Sequence, residues 1–491
     1  MDFDTFKLLS KQYNLIPVYE IITADMLTPV TAYLKIRENG KNCFLLESVE
    51  GSENMARYSF LGKDPKYIFS NKGDVISVRN GINVNRIKAG IFDFIGNEIS
   101  NYKQPQIDVL PDFSGGIVGF LGYENVALIE NILKDDLKNE NEEDSILGFY
   151  DTILAFDHVK HQIILITNVE IKDSSGPLTE FNKAKSKLSK IKKELQQPIH
   201  YSSDFKLTDV INENFKADDF FRQVEQSKKN IYEGDVFQIV ISKRFSASYS
   251  GDPFNVYRAL RIINPSPYMY YLNFENDFNV IGTSPEDLVK VKNKTVQLLP
   301  IAGTRRRGKN EQEDLELEKD LMSDEKELAE HTMLVDLGRN DLGRVCEYGS
   351  VKVTENMKVQ RYSHVMHIVS KIQGSLSENN NSIDALKSCF PAGTVTGAPK
   401  IRAMQLISKY EEQARNVYAG AVGYFDFSGN LDSCIAIRTL FTKGNKIYWQ
   451  AGAGIVADSK PELEAKEIKN KSAALIKALK FAEVIDDNLS N

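Results

Sequence analysis

The sequence predicts an α+β fold in which large antiparallel β-sheets pack together, with helices on the outside. From about residue 30 to residue 167, short runs rich in β-branched and aromatic residues alternate with turns. These runs do not alternate regularly with helical segments, as they would in a doubly wound parallel sheet. We therefore expect the strands of this region to pair in antiparallel fashion.

A domain boundary is predicted near residue 205. Residues 178–195 form a basic, amphipathic helical pattern, and the polar stretch 196–204 that follows is typical of a linker. We therefore expect an N-terminal domain of residues 1–205 and a second domain of residues 206–491.

The second half begins with a helix predicted from Ala217 to Glu233. Gly234 is placed to end that helix with a positive φ. A buried strand is expected from Val236 to Ser242, and Gln238 is a polar residue inside it. Further strands, an acidic helix and more strands and helices are expected to follow.

Composition excludes several classes of protein. With 42% hydrophobic and 26% charged residues among 491, the chain has an ordinary soluble composition. Its net charge of -7 gives no reason to expect nucleic acid or an anionic membrane as a partner. The chain has no apolar run of membrane-spanning length and does not begin with a signal peptide. Its four cysteines are scattered, which predicts a reducing, cytoplasmic location.

Two pairs of glutamates form a candidate metal site. Glu327 and Glu330 are three residues apart in a predicted helix, and Glu464 and Glu467 have the same spacing near the C-terminus. Residues at this spacing project from one helix face. Either pair alone is more often solvated surface. Four carboxylates from two helices would repel one another without a cation, and oxygen ligands suit Mg²⁺.

Two glycine-rich segments indicate binding of an anion. Gly393–Lys400 precedes a helix and would present backbone N–H groups, although its spacing is not that of a P-loop. Gly452–Ala457 matches the dinucleotide pattern G-x-G-x-x-A. However, Ser459 and Glu462 predict a capping box that starts the helix after the motif. We instead expect the backbone to approach an anion here and then turn into the helix of the second glutamate pair. Arg438 is suited to bind a carboxylate.

Five segments of the chain, in order, resemble the chorismate-utilising enzymes. They are PIAGTR, AEHTMLVDLGRND, SHVMHIVS, FPAGTVTGAPK and QAGAGIV, at residues 300–305, 329–341, 363–370, 390–400 and 450–456. The chain is most similar to the members that use ammonia. The resemblance implies the chorismate-binding fold and conversion of chorismate and ammonia to anthranilate and pyruvate, the first committed step of tryptophan biosynthesis.

The resemblance also implies a role for individual residues. Glu330 and Glu467 would bind Mg²⁺ directly, with Glu327 and Glu464 close behind. Glu286 would be a general acid for the departing ring hydroxyl, and His367 would serve the second step. Thr394 would take part in catalysis. Chorismate would be held by Gly303, Thr304, Thr394, Tyr418, Arg438, Gly452, Ala453 and Gly454.

Two positions separate the related reactions. The family members that add water look as if they need a lysine base at the position of Gln238. An amide cannot take a proton from water, so this chain departs from their pattern. In another group of family members, a lysine at the position of Ala302 attacks the ring, and an alanine cannot do so. The resemblance therefore implies direct attack by ammonia.

The resemblance implies two binding partners besides the substrate. Ser48, Pro267, Tyr268 and Met269 would contact tryptophan as a feedback inhibitor. No glutaminase segment with a Gly-x-Cys-x-Gly nucleophile is present. Ammonia would therefore come from a separate glutamine amidotransferase subunit, in a hetero-oligomer. The resemblance implies that residues 1–205 carry part of the tryptophan site and the partner contacts, and that residues 206–491 form the chorismate-binding catalytic domain.

Three other functions stay open at this point. The first is a related amination of chorismate that stops before pyruvate is lost, against which His367 argues. The second is a tryptophan-binding regulator without catalysis, which the intact acids and loops disfavour. The third is a dehydrogenase, which only the pattern at residues 452–457 suggests.

Overall fold

The computed structural model describes residues 1–38, 40–48, 57–138, 140, 142–172, 176–199, 204–214, 216–362 and 365–486. Residues 200–203 of the predicted linker and residues 363–364 of the third matched segment lie outside the described residues. Within the described ranges, no helix is long and apolar enough to cross a membrane.

The helices have recognisable starts and ends. Asp324 caps the long acidic helix by accepting hydrogen bonds from the N–H groups of Lys326 and Glu327. Gly234, with φ +83°, follows the helix it was predicted to end. The helices are α1 (Phe3–Leu9), α2 (Pro29–Ile36), α3 (Ile91–Ser100), α4 (Pro177–Leu195), α5 (Ala217–Tyr232), α6 (Phe254–Ile263), α7 (Glu311–Ser323), α8 (Glu325–Gly343), α9 (Ser382–Cys389), α10 (Lys400–Tyr410) and α11 (Pro461–Ala482).

The strands occupy the β-branched and aromatic runs predicted for the first half and continue through the second half. They are β1 (Leu15–Thr23), β2 (Cys43–Glu47), β3 (Tyr58–Lys63), β4 (Tyr67–Lys72), β5 (Val75–Asn80), β6 (Asn83–Lys88), β7 (Gly116–Leu121), β8 (Ser145–Tyr150), β9 (Thr152–Asp157), β10 (Gln162–Glu170), β11 (Phe205–Leu207), β12 (Asn212–Glu213), β13 (Gln238–Gly251), β14 (Tyr268–Phe274), β15 (Phe278–Ser284), β16 (Asp287–Lys292), β17 (Thr295–Leu298), β18 (Ile301–Arg306), β19 (Lys352–Arg361), β20 (Val365–Ser375), β21 (Gly397–Ala398), β22 (Ala421–Asp426), β23 (Leu431–Ile435), β24 (Thr439–Lys443) and β25 (Lys446–Ile455).

The strands form two large sheets, and the pairings within both are antiparallel, as the sequence predicted. Within the described part of the chain, the first sheet has 13 strands in the order β1-β10-β9-β3-β2-β14-β15-β24-β25-β13-β11, with β12 and β21 also paired to β13. The second has 12 strands in the order β18-β20-β17-β16-β23-β22-β7-β8-β4-β5-β6, with β19 paired to β20. Each sheet therefore contains strands from both sides of residue 205. The division into domains at that residue stays a prediction.

The two sheets pack face to face, and helices cover their outer faces. The layer between the sheets contains Phe44 and Tyr270 from the first sheet and Val118 and Val422 from the second. A second core joins the outer face of the first sheet to α1, α2, α4, α5, α6, α10 and α11. A third joins the second sheet to α3, α8 and α9. Burial of apolar side chains on both faces of each sheet confirms the predicted fold class.

Candidate active site

Strand β25 contributes Gly452 and Gly454 to the candidate site. Both are covered by a side chain. A Cβ atom at Gly452 would lie 2.7 Å from the Tyr418 hydroxyl, and one at Gly454 would lie 2.6 Å from Nε2 of Gln238. Ala453, between them, is fully buried in an apolar core. The strand therefore presents bare backbone on the face beneath Tyr418 and Gln238.

Helix α11 begins after a turn at residues 457–458. The capping box predicted from Ser459 and Glu462 is wrong, because Ser459 Oγ accepts a hydrogen bond from Val456 N–H at 3.0 Å and does not cap the helix. Pro461 opens the helix in the first turn, where its missing N–H has no intrahelical partner to lose. The Ser459 hydroxyl therefore takes part in a local turn and is not used to cap the helix.

Lys471 connects the glycine strand to the predicted metal ligands, and sequence reasoning missed it. Its ammonium donates a hydrogen bond to the Gly452 carbonyl at 3.0 Å and pairs with Glu467 at 2.7 Å. The same charge acts to lower the pKa of Glu286 and Glu464. The signal was available, because Lys471 follows Glu467 by four residues and so shares its face of α11.

The four glutamates lie in two half-buried pairs, one in α8 and one in α11. Burial, and next the Glu330 carboxylate, raises the pKa of Glu327. Burial also raises the pKa of Glu464, and the neighbouring Glu467 adds to that effect. Among the residues described, no three acidic, histidine or cysteine side chains come close enough together to hold a metal ion. The structure thus brings each pair together but does not assemble all four around one point.

These carboxylates nevertheless fit a divalent cation in their chemistry. All are oxygen donors of the kind that Mg²⁺ prefers. Glu327 and Glu464 are each partly buried beside a second carboxylate, and burial together with this like charge raises their pKa values. A nearby divalent cation would relieve that repulsion.

Glu286, the predicted general acid, follows strand β15. Burial raises its pKa to about 7, although Thr394 and the Lys471 charge act to lower it. The Thr394 hydroxyl is buried and makes no hydrogen bond of ordinary length within the described chain. It approaches Glu286 closely enough to affect its pKa. A carboxyl group that titrates near neutrality can donate a proton.

His367 lies beside two predicted substrate-binding residues. Strands β18 and β20 pair Thr304 with His367, and a bulge between Ala302 and Thr304 leaves Gly303 unpaired with φ +70°. His367 Nδ1 lies 3.0 Å from the Gly303 carbonyl oxygen and 3.0 Å from Thr304 Oγ1. The carbonyl requires a proton on Nδ1, which leaves Nε2 free to accept one. Burial lowers the pKa of His367, so the neutral form is favoured.

Arg438 lies near both Tyr418 and His367. Its backbone has φ +51°, an unusual conformation for a residue other than glycine. Burial lowers the pKa of Arg438, while Tyr418 acts to raise it, and the Arg438 charge acts to lower the pKa of His367. Burial also raises the pKa of Tyr418 to about 12. A partly desolvated guanidinium is therefore available to an anion here.

The predicted tryptophan-binding residues lie together at a different place, where β2 and β14 pair. Glu47 pairs with Met269, so Ser48 and Tyr268 are the next residues along this ladder. The Tyr268 hydroxyl donates to Asp432 at 2.9 Å, and Met269 is buried. Tyr268 also pairs with Ser284, the last residue of β15, which is followed closely by Glu286. The two candidate sites are thus connected through one strand pair.

Comparison with known proteins places the chain among enzymes that bind chorismate. The family model for the chorismate binding enzyme matches residues 41–477. The chain therefore belongs to the chorismate binding enzyme family, and the solved and curated relatives locate it within that family.

Three relatives that match nearly the whole chain share one name. The chain is 44% identical over 495 residues to anthranilate synthase component 1 of Acetivibrio thermocellus, with 98% of each chain covered. It is 42% identical over 492 residues to the protein of the same name from Aquifex aeolicus, again with 98% of each covered. The crystal structure of anthranilate synthase component I from Streptococcus pneumoniae has a TM-score of 0.77 and 38% identity, covering 92% of this chain and 99% of that one. Within the family, the chain groups with the component 1 proteins.

Proposed function

We propose that the chain converts chorismate and ammonia into anthranilate and pyruvate, the first committed step of tryptophan biosynthesis. One observation carries the proposal: the Lys471 ammonium joins the Gly452 carbonyl of β25 to Glu467. A positive charge therefore lies between the glycine strand and one of the predicted metal-binding acids. The component 1 relatives support the same reaction.

Chorismate is a dianion, so its binding must overcome the negative charge of the glutamates. We propose that Lys471 and Arg438 bind its carboxylates, together with Thr304, Tyr418 and the backbone of residues 452–454. Arg is suited to a bidentate contact with a carboxylate. The Gly303 conformation, with φ +70°, allows the chain to approach the ring closely.

Mg²⁺ is the cofactor that best fits the two glutamate pairs. Glu330 and Glu467 would hold it, with Glu327 and Glu464 behind them. When bound, the ion would supply a positive charge that neutralises the acids and polarises the ring carboxylate.

The residues of the chain account for both chemical steps. Ammonia adds to the ring carbon next to the one bearing the carboxylate, the ring double bonds shift, and the bond to the ring hydroxyl breaks. Protonated Glu286 gives its proton to that hydroxyl, which leaves as water, and the added nitrogen releases one proton to solvent. Neutral His367 then takes the proton at the aminated ring carbon. The enolpyruvyl group gains a proton and leaves as pyruvate, and the ring becomes aromatic. Gln238 and Ala302 offer neither a base for water nor a nucleophile, so ammonia attacks directly.

We propose that ammonia is supplied by a glutamine amidotransferase subunit. The component 1 designation of the relatives implies a second component. Tryptophan would bind at Ser48, Pro267, Tyr268 and Met269 and inhibit the reaction. The cytoplasm is the proposed location, since the described cysteines are all free. Residues 1–205 would carry part of the tryptophan site, and residues 206–491 the catalytic residues.

The proposal is tested with the purified chain, chorismate and ammonium, with and without Mg²⁺. Anthranilate fluorescence that requires both ammonium and Mg²⁺ is the expected result. Mass spectrometry would identify an aminated ring that keeps its enolpyruvyl group, which would support amination without pyruvate loss. Tryptophan binding without turnover would support a regulator. Either outcome would overturn the proposed reaction.

A further inference from the structure

Behind the candidate site lies a buried ion pair between Glu411 and Arg415. The two side chains are 6% and 1% exposed, and the guanidinium donates to both carboxylate oxygens, at 2.8 and 2.6 Å. A buried ion pair is stable only when further hydrogen bonds satisfy its remaining groups. Here those additional contacts lead to the candidate site.

The other guanidinium hydrogen bonds hold two backbone segments. Arg415 Nη1 donates to the Val395 carbonyl at 2.7 Å, and Nη2 donates to the Val240 carbonyl at 2.9 Å. Val395 directly follows Thr394, and Val240 pairs with Gly454. One side chain therefore holds the turn that carries Thr394 against the strand that borders the glycines.

The guanidinium also lies against the ring of Tyr418, with its central carbon 5.5 Å from the ring centroid. On another side it lies 4.9 Å from the ring centroid of Tyr123. Arginine favours such positions because a cation is attracted to the face of an aromatic ring. The Tyr418 hydroxyl covers Gly452. The position of Arg415 therefore affects where Tyr418 lies on the surface that a substrate would contact.

Glu411 extends the same network to the strand next to the glycines. Its Oε1 accepts hydrogen bonds from Ser242 N–H at 2.8 Å and Ser242 Oγ at 2.7 Å. Ser242 pairs with Gly452, and Gln450 Nε2 donates to its hydroxyl at 2.7 Å. The ion pair thus holds the candidate site from behind at β13, at the Thr394 turn and at Tyr418.

We propose that Arg415 is a positioning residue for the reaction. It acts through Tyr418 and Thr394, and Glu411 keeps its guanidinium in place. Arg415 itself is 1% exposed and therefore lies beneath the surface that substrate contacts. The inference rests on the proposed function for its kinetic part, but its structural part is independent of any reaction.

The variant that tests this role is Arg415→Lys. A lysine keeps the charge opposite Glu411, but a single ammonium cannot reproduce the planar fork that reaches two carbonyls and a carboxylate. Arg37→Lys is a matched control. Arg37 is largely buried, with 10% of its side chain exposed, pairs with Asp252 at 2.5 Å, and lies over the rings of Tyr33 and Phe254 at 5.9 and 5.1 Å. None of its described contacts involves the candidate site.

The first measurement needs no turnover. Hydrogen–deuterium exchange is compared in the wild type and both variants, with thermal unfolding as a check on folding. Faster exchange at residues 393–398 and 417–420 in Arg415→Lys, but not in Arg37→Lys, is expected. Equal exchange in these two segments would overturn the positioning role, whether or not the chain makes anthranilate.

The second measurement is a double-mutant cycle with Tyr418→Phe. In the wild-type background, Arg415→Lys should lower kcat/KM for chorismate by up to about 100-fold, as misplaced groups do. In the Tyr418→Phe background the same change should cost only about threefold, because coupled residues are not additive. Equal losses in both backgrounds would refute action through Tyr418. A wild type that makes no anthranilate would instead refute the proposed reaction.

Discussion

The Tyr418 hydroxyl lies directly over Gly452, so closely that a Cβ atom at that position would be 2.7 Å away. The tyrosine sits on the residue whose carbonyl accepts a hydrogen bond from Lys471. A phenol, a backbone segment and an ammonium therefore share one small surface. Several properties of the protein depend on this arrangement.

Replacing Gly452 with alanine should impair function more than folding. The added methyl group would displace Tyr418 and would also meet Val240 Cγ1 at 3.0 Å. We expect kcat/KM for chorismate to fall at least about tenfold, equivalent to about 1.4 kcal/mol of lost transition-state stabilisation. Gly343→Ala is the matched control, because nothing lies within 4 Å of its added Cβ. Full activity in Gly452→Ala would show that substrate does not use this surface.

The pH dependence of the reaction rate should reflect the protonation of Glu286 and His367. The pKa of Glu286 is raised to about 7, and a general acid must be protonated, so the rate should fall as pH rises above about 7. The pKa of His367 is lowered below 6.5, and a general base must be neutral, so the acid limb should lie below 6.5. The assay must hold free ammonia constant, because ammonia itself titrates. In Glu286→Gln the alkaline limb should disappear along with most of the activity, and an unchanged limb would assign it to another group.

Replacing the predicted Mg²⁺ ligands should weaken the binding of Mg²⁺. Glu330→Gln and Glu467→Gln should each weaken Mg²⁺ binding by about 100-fold or more. Even the loss of a residue that only hydrogen-bonds to a metal ligand lowers metal affinity about 10- to 100-fold. Calorimetric titration of Mg²⁺ in the presence of chorismate measures this directly. Glu325→Gln, an exposed residue in the first turn of α8, is the control and should bind Mg²⁺ normally. Unchanged Mg²⁺ affinity in both test variants would remove these residues from the metal site.

Ser48→Ala should reduce tryptophan affinity without changing the uninhibited rate. Loss of one hydrogen bond, worth about 1 kcal/mol, should raise the Kd for tryptophan about fivefold. Calorimetry with tryptophan measures the affinity, and initial rates measure the inhibition. Ser100→Ala, an exposed serine at the end of α3, is the control. Equal tryptophan affinity in the two variants would place the inhibitor elsewhere.

Much of the fold was predictable because strand residues in this protein are distinctive. Runs such as Cys43–Glu47 and Gln162–Glu170 are short and mostly apolar, the second of them rich in β-branched residues, and they form strands as expected. The pairing between them was not predictable, because β2 lies next to β14, a strand from the second half of the chain. Periodicity identifies an element but does not choose its neighbours.

Several contacts of the candidate site could not be predicted from the sequence. The sequence indicates a close backbone approach at Gly452 and Gly454, but it does not show which side chain covers each glycine. Lys471 was missed because its contact with the Gly452 carbonyl depends on how α11 packs on β25. The Glu411–Arg415 pair was missed because a charged pair at helical spacing is usually solvated surface. Each failure concerns a tertiary contact.

The hydrogen bonds between β2 and β14 have a consequence for how the protein is made. While the ribosome synthesises the intervening chain, the edge of β2 that will meet β14 has no partner. An unpaired strand edge can pair with another molecule instead, and long-range pairing closes slowly. A nascent chain of this protein is therefore expected to need protection by chaperones until translation has passed Phe274, where β14 ends.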